Sequence, residues 1–543
     1  MSFTANQKEI IQKIAIAAHR QPILSSGLWF HHDLRDNFYY ASYLFAAAVD
    51  QSEPLPFERE SAKQTAVTVL LEVLALQDQD AQSVTYGHWP LWLELVPKDS
   101  KPNTLPVELM GSLMAFFAGR YRTYFDEKLI QAFDAALIHI YRSGFYHQKN
   151  VFGHHDAKYT AAKLIFGQMF DDAELLEDGR NNLQLTLAHI RKHGMSEYSS
   201  MPWFWHWVQA FTCAWHEISD AAIKRELADM LDFLWNERAV FYLKGAWVGA
   251  HCRGQKHDIP LDSNVLHDYV QFGDFELPEQ MPRTEYAGFL YYEAPETARR
   301  TALNRNEPTE VNKVITKLTD GGVSTLHSYA YITSDFASGG MWERFKEFDN
   351  EQHRWDISLP LGQQSGVNQL YFFHPAESNA VDDLRHQTEH TEVLYYKNTI
   401  MALYPIPTGI DNTIVGVLPC IEWQQEPGML LGQTGHVYLA LYLMQPYELD
   451  RRSDRHIVTS EGSENGVIVE AISYSDALKR GISSYAEFVE EAKRNMPTWS
   501  TDKKLSVRYV SQDKSVLELN VDRQGKSEKW INGLSIDFTE YKI

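Results

Sequence analysis

Glu197 and Tyr198 form the adjacent pair best placed to do chemistry in this sequence. They lie in the polar run Ser196–Ser200, just ahead of a stretch in which Trp203, His206, Trp207 and Ala210 recur at helical spacing. Ser200 suits an N-cap, and Pro202 fits a first helical turn. A helix N-terminus carries partial positive charge, which favours a carboxylate at 197 and an unusually acidic phenol at 198. Proton transfer is the chemistry open to such a pair.

Four more loops hold groups of the same kind: Trp29–Asn37 (WFHHDLRDN), Tyr86–Glu94 (YGHWPLWLE), Phe145–Asp156 (FYHQKNVFGHHD) and Gly245–Asp258 (GAWVGAHCRGQKHD). Within them Asn150, His154 and His155 are candidate polar partners of a reacting group, joined by His32 and by His206 of the tryptophan-rich helix. Arg35 or Arg253 could hold a carboxylate through a bidentate pair. The loop tryptophans Trp29, Trp89 and Trp92 offer indole faces for sugar rings, whereas Trp203, Trp207 and Trp215 read as core. Glu197 opposite Asp33, Asp36 or Glu94, roughly 5–10 Å away, would instead be a hydrolytic carboxylate pair. His-His-Asp occurs at His31-His32-Asp33 and again at His154-His155-Asp156, and imidazole with carboxylate is a donor set for a divalent metal. Adjacent loop histidines point apart, so neither tripeptide is a ligand set alone, and Asp33 and Asp156 also read as N-caps. No phosphate-binding glycine fingerprint occurs, so no nucleotide cofactor is expected.

These loops need a scaffold that brings them together. Residues 1 to about 275 carry apolar residues at i, i+3, i+4 and i+7 over 5–20, 37–50, 59–78, 104–122, 126–143, 156–170, 176–192, 201–218 and 221–238. Antiparallel helices in such number, some aromatic all round and some amphipathic, predict an (α/α) toroid in which alternate loops gather at one end. Residues 276–313 mix prolines and charges as a linker or transitional helix would. From about Val314 the period becomes 2: Ser324–Thr333 alternates, Lys397-Asn398 joins a hairpin, and Asn465-Gly466 marks a turn. One helix interrupts, with Ser484 as N-cap and Glu487 completing a capping box. The expectation is an α+β multidomain chain: toroid at 1–310, antiparallel β-sandwich at 311–543. In the sandwich, His327, His353, His374 or His386 could lend a group to the cleft.

Composition narrows the partners. The net charge of −22, from 50 basic and 72 acidic residues, argues against nucleic acid and against an anionic membrane surface. Any acidic substrate then needs a local cluster of cations. The cysteines Cys213, Cys252 and Cys420 are too few and scattered for a disulfide framework. The N-terminal residues lack the apolar core of a signal peptide and no long apolar run occurs, which predicts a cytoplasmic protein. Nothing in the sequence sets the oligomeric state.

A helical toroid followed by a sandwich resembles the heparinase II/III-like and alginate-lyase-like polysaccharide lyases. The toroid loops with Glu197-Tyr198 and the His-rich segments carry the likeness, as does the ending from SENGVIVEAISY through SSYAEFVEE to LSVRYVSQDKSVLELNV. The Glu197–Ser200 stretch, Trp89-Pro90 and the Arg253 segment are also similar to helical-toroid bacterial proteins of unassigned activity. The resemblance implies β-elimination of a 4-linked uronic acid. Tyr198 would then be base or acid, with His155, Asn150 and Glu197 beside it, and a structural divalent metal is sometimes held. Glycoside hydrolysis on the same toroid, or carbohydrate binding without catalysis, are the alternatives.

Overall fold

The computed structural model describes residues 2–147, 152–195, 197, 201–252, 265–277, 286–319, 322–343, 351–362, 366–375, 387–522 and 525–543. Helices occupy the first part: α1 (Phe3–Arg20), α2 (Leu34–Val49), α3 (Arg59–Ala75), α4 (Leu105–Tyr121), α5 (Glu127–Ser143), α6 (His154–Met169), α7 (Ala173–His193), α8 (Met201–Glu217), α9 (Ala221–Val240), α10 (Val265–Gln271) and α11 (Glu296–Leu303). Even-numbered α2, α4, α6 and α8 pack on one another, and the odd-numbered α1, α3, α5, α7 and α9 pack outside them. That is the expected toroid of inner and outer helices.

Sequence explains the two rings. Inner α4 (LPVELMGSLMAFFAGRY) is buried from Pro106 to Ala118, so it is apolar nearly all round. Outer α5 buries one stripe, Leu129, Phe133, Ala136, Leu137 and Ile140, at the spacing of an amphipathic helix. The helix starts differ as well. Outer α5, α7 and α9 are capped by Asp126, Asp172 and Asp220, each accepting from a first-turn N–H. Inner α4 and α6 have no side-chain cap among the described residues, at Thr104 and Gly153.

The long strands begin at Thr309, six residues after α11 ends. An eight-stranded antiparallel sheet runs from Tyr447–Arg451 at one edge to Thr309–Thr319 at the other. A six-stranded sheet faces it, and a five-stranded sheet from Thr498 to Ser535 covers the six-stranded sheet's other side. The middle sheet is therefore apolar on both faces. In Val437–Leu443, Val437, Leu439 and Leu441 join the core between the two large sheets, while Tyr438, Ala440 and Tyr442 join the core beneath the five-stranded sheet. This third layer was not anticipated from the sequence; its strands were expected as part of a simple sandwich.

Two local expectations divide. Lys397, at φ +47°, closes the hairpin in which Tyr396 pairs with Thr399. Asn465-Gly466 is not a turn but sits inside strand Glu464–Ser473, paired with Tyr404 and Leu403. Strand His456–Glu461 belongs to the eight-stranded sheet and Glu464–Ser473 to the six-stranded one, so the chain turns a corner between sheets. The buried Asn465 amide donates to the Ser460 carbonyl across that corner, which is why an asparagine stands there. The capping box at Ser484 forms, except that Glu487 takes the Ser483 N–H.

The two halves meet along the chain that follows α9. Arg238 and Asp268, both fully buried, form a bidentate pair (Nε–Oδ1 3.1 Å, Nη2–Oδ2 2.7 Å) joining α9 to α10. Arg238 also donates to the carbonyls of Phe241 and Ala246, fixing the hairpin Tyr242–Trp247. From there strand His251–Cys252 pairs with Glu351–His353 of the sheet half.

Candidate active site

Residues at the starts of α2, α4, α6 and α8 meet at one end of the toroid. Glu108, one turn into α4, is the hub. Its buried carboxylate takes Lys158 Nζ at 2.5 Å and His155 Nδ1 at 2.7 Å on Oε2, and the Tyr159 hydroxyl at 2.9 Å on Oε1. Burial pushes this carboxyl up, but the His155 hydrogen bond and the Lys158 charge together outweigh it and hold the pKa down to about 2. Burial, and less strongly repulsion from the Arg35 guanidinium, lowers Lys158, against the pull of Glu108. The His155 side chain is 41% exposed, so its anchored Nδ1 leaves the Nε2 edge toward solvent.

A second carboxylate stands beside the first. Glu197 accepts from Trp207 Nε1 at 2.8 Å and contacts His154 Nδ1 at 2.5 Å. His154 stacks on Trp203, lies 4.1 Å from the His155 ring and 5.5 Å from His206. Burial depresses His154 to about 4, although Glu197 opposes it, so the imidazole is neutral at pH 7 and donates Nδ1–H to the carboxylate. That bond and the indole N–H hold Glu197 below the usual range despite its burial.

These shifts have one sign for stability. Glu108, lowered from 4.5, contributes stability fully present above its unfolded pKa and lost as pH falls toward 2. His154, lowered from 6.5, resists a proton that the unfolded chain accepts, so stability falls from pH 6.5 toward 4. The melting temperature is expected to drop steadily across pH 6.5 to 4 and further below. A flat curve there would contradict these environments.

The other sequence candidates scatter. Tyr198, Asn150 and Arg253 lie outside the described residues, as does His386. Asp33 caps α2, and the Arg35 fork closes on it (Nε–Oδ1 2.9 Å, Nη2–Oδ2 2.5 Å), so the expected bidentate clamp already has a carboxylate of its own. His32 pairs with Asp36 at 3.3 Å, and His31 Nε2 meets Ser26 at 2.8 Å, so His31, His32 and Asp33 point to different partners rather than to one ion. Asp156 is no cap; it sits in the first turn of α6 behind Gly153, 1% exposed and with no hydrogen-bond partner for either oxygen. His154, tied to Glu197, and Asp156 thus gather no ligand set either. Trp29 and Trp89 are core residues at 2% and 0% exposure, and the Trp89 N–H donates to the Val73 carbonyl, so neither offers a sugar-stacking face. Trp92 does, at 64% exposure, on the loop bridged to Asp33. Glu94 is exposed. In the sheets, His327 is held by Glu343, and His374 by Thr388 and the Asp411 carbonyl.

Glu108, Lys158 and Tyr159 were missed by sequence reasoning. The available signal was a charged residue inside a helix apolar on every side, as in LPVELMGSLMAFF. A further grouping escaped as well: the buried His251, His353 and Asp356 have ligand atoms within 4.8 Å of one another, a metal-type donor set across the junction of the halves.

No protein-family model and no curated protein sequence matches the chain. Among solved structures it is similar to heparinase III, with TM-score 0.46, 8% identity, and 93% of this chain and 84% of that one covered. A chondroitinase AC lyase seen with oligosaccharides gives TM-score 0.46 and 9% identity over 97% of this chain and 93% of that one. A heparan sulfate lyase HepC mutant from Pedobacter heparinus gives 0.36 and 9%, covering 98% and 95%.

Proposed function

We propose that this chain is a carbohydrate lyase that breaks a 4-linked uronic-acid glycan by β-elimination at the inner-helix end of the toroid. One observation carries the reading: the starts of α4 and α6, neither with a side-chain cap, meet there beside the outward-facing edge of His155. Helix N-termini and cations favour a bound carboxylate and the extra negative charge that develops on it.

Elimination needs three things: a partner for the uronate carboxylate, a base for the C5 proton and an acid for the O4 leaving group. The electropositive helix ends serve the first. His155, held at Nδ1 by Glu108, turns its other nitrogen outward and serves as base; the C5–H electrons form the C4=C5 double bond as the C4–O bond breaks. Tyr198 protonates the departing oxygen, and Asn150 shares the carboxylate. Glu197 acts through His154 as a positioning residue, since both its oxygens are engaged. The same engagement of Glu108 and Glu197 speaks against hydrolysis, which requires two carboxylates turned toward the substrate. The exposed Trp92 is the sugar platform at the rim.

The direct test is absorbance near 232 nm against a panel of uronate oligosaccharides, where only elimination creates the unsaturated uronate. Rising absorbance is expected. New reducing ends without absorbance would replace this reading with hydrolysis, and binding without turnover would replace it with a lectin-like role. Trp92→Ala is expected to weaken oligosaccharide binding about tenfold by titration without moving the melting temperature; unchanged binding would remove Trp92 from the site.

A further inference from the structure

We infer that the far end of the toroid, opposite the candidate active site, carries a non-catalytic groove that binds an acidic oligosaccharide. The groove lies where α2 and α4 end and α1 begins, with Tyr291 ahead of α11. Arg120 follows Glu108 by twelve residues on α4, which places the groove about 18 Å from that hub. The cleft there has a volume of about 460 Å³, and it continues past Val49, Asp50 and Tyr124 into a second of about 480 Å³. Each is large enough for a small ligand, and together they form an elongated site.

Tyr124 stands at the join of the two clefts. It is 49% exposed, and its ring and hydroxyl make no ring contact or hydrogen bond among the described residues. Such a side chain offers a sugar both an apolar face and a polar tip. Tyr291 is held in place: its N–H donates to His216 Nε2 at 3.1 Å, and the Arg120 guanidinium lies 4.7 Å from its ring centre. The floor adds a further polar group. Gln7, 2% exposed, donates Nε2–H to the Leu290 carbonyl at 3.0 Å, while its Oε1 has no partner. A buried amide oxygen without a donor is costly, and a sugar hydroxyl satisfies it.

Charge in the groove runs against that of the protein. Lys8, Arg59, Lys63 and Arg120 line it with the carboxylates of Asp50 and Glu60, in a chain of net charge −22. Lys8 pairs with Glu53 at 2.9 Å, and Arg59 donates to the carbonyls of Ala47 and Asp50. Arg120 and Lys63 form no ion pair among the described residues; each lies over an aromatic ring instead. These two are the cations available to a carboxylate or sulfate. Asp50 and Glu60 disfavour a polyphosphate in the same groove, whereas sugar hydroxyls can donate to them. The choice of a uronate glycan as ligand rests on the elimination proposed above; the groove itself does not.

The experiment uses the whole chain carrying His155→Ala, to prevent turnover, with uronate hexasaccharides of heparan, chondroitin, alginate and polygalacturonate. One of them is expected to slow hydrogen exchange at residues 118–125 as well as at the starts of α4 and α6, with two bound per chain by calorimetry. Adding Tyr124→Ala should weaken the far-end site about tenfold, and adding Arg120→Gln about 10–100-fold, each leaving the other site unaltered. Tyr124 is exposed, so its variant tests the site without disturbing the core. Protection at 118–125 alone would support this groove while removing the glycan from the proposed active site. No protection there with any of the four glycans, or protection that survives both variants, would overturn the assignment. Equal protection by inorganic phosphate or a single-stranded oligonucleotide would overturn its identity as a glycan site.

Discussion

Glu108→Ala is expected to reduce the unfolding free energy by about 3–5 kcal/mol, the usual result of removing one partner from a buried ion pair. The substitution strands Lys158, whose side chain is 5% exposed and whose Nζ lies 2.5 Å from the lost carboxylate. It also removes the acceptors of His155 and Tyr159. Lys158 then becomes neutral or pulls water in, and each choice costs free energy. Glu108→Gln keeps an acceptor and the volume, so a smaller loss is expected, while Glu108→Ala with Lys158→Met should recover much of the deficit because no charge is left unpaired. Urea unfolding of these variants measures the differences. A loss below about 1 kcal/mol for Glu108→Ala would mean that the network is solvated and not the hub described above.

That hub also shows where sequence stops informing. Periodicity separates inner from outer helices because the number of buried faces is written in the pattern: α4 is apolar all round and α5 carries one stripe. The strand VYLALYL, apolar at every position, feeds two cores, although the sequence reading took it for a strand of a simple sandwich. Side-chain pairing across the ring is not local. Glu108 meets residues about fifty positions away because α4 and α6 are neighbours in the toroid, and no spacing rule records that. Loop tryptophans misled for a related reason. Trp29 and Trp89 lie between helices in sequence yet fold back into the core, since a large apolar side chain gains more by burial than by display. His353 was a candidate from the sequence, but its grouping with Asp356 escaped because residues three apart on a straight strand face opposite ways; here the strands end at His353 and resume at Trp355, and the break lets both reach one point. The Asn465-Gly466 dipeptide failed because its asparagine serves a buried corner rather than a turn.

His155 carries the largest expected effect on turnover. Its imidazole is 41% exposed and bonded at one nitrogen only to Glu108, so His155→Ala removes little packing. A loss of about 10²–10⁴ in kcat is expected from removing a general base, with a modest fall in melting temperature from the lost hydrogen bond to Glu108. On the proposed reading the helix N-termini rather than His155 hold the carboxylate, so the Michaelis constant should move little. His155→Gln keeps a polar group of similar reach and should remain as inactive, since an amide cannot accept the C5 proton. Tyr198→Phe separates the two halves of the reaction. If Tyr198 serves only the leaving oxygen, a substrate with a good leaving group at C4 should be spared by Tyr198→Phe yet still be lost with His155→Ala. Equal rescue of both variants would assign the proton abstraction elsewhere. Retention of more than a tenth of the activity in His155→Ala would remove the Glu108–His155 pair from catalysis and leave it as part of the core's charge network.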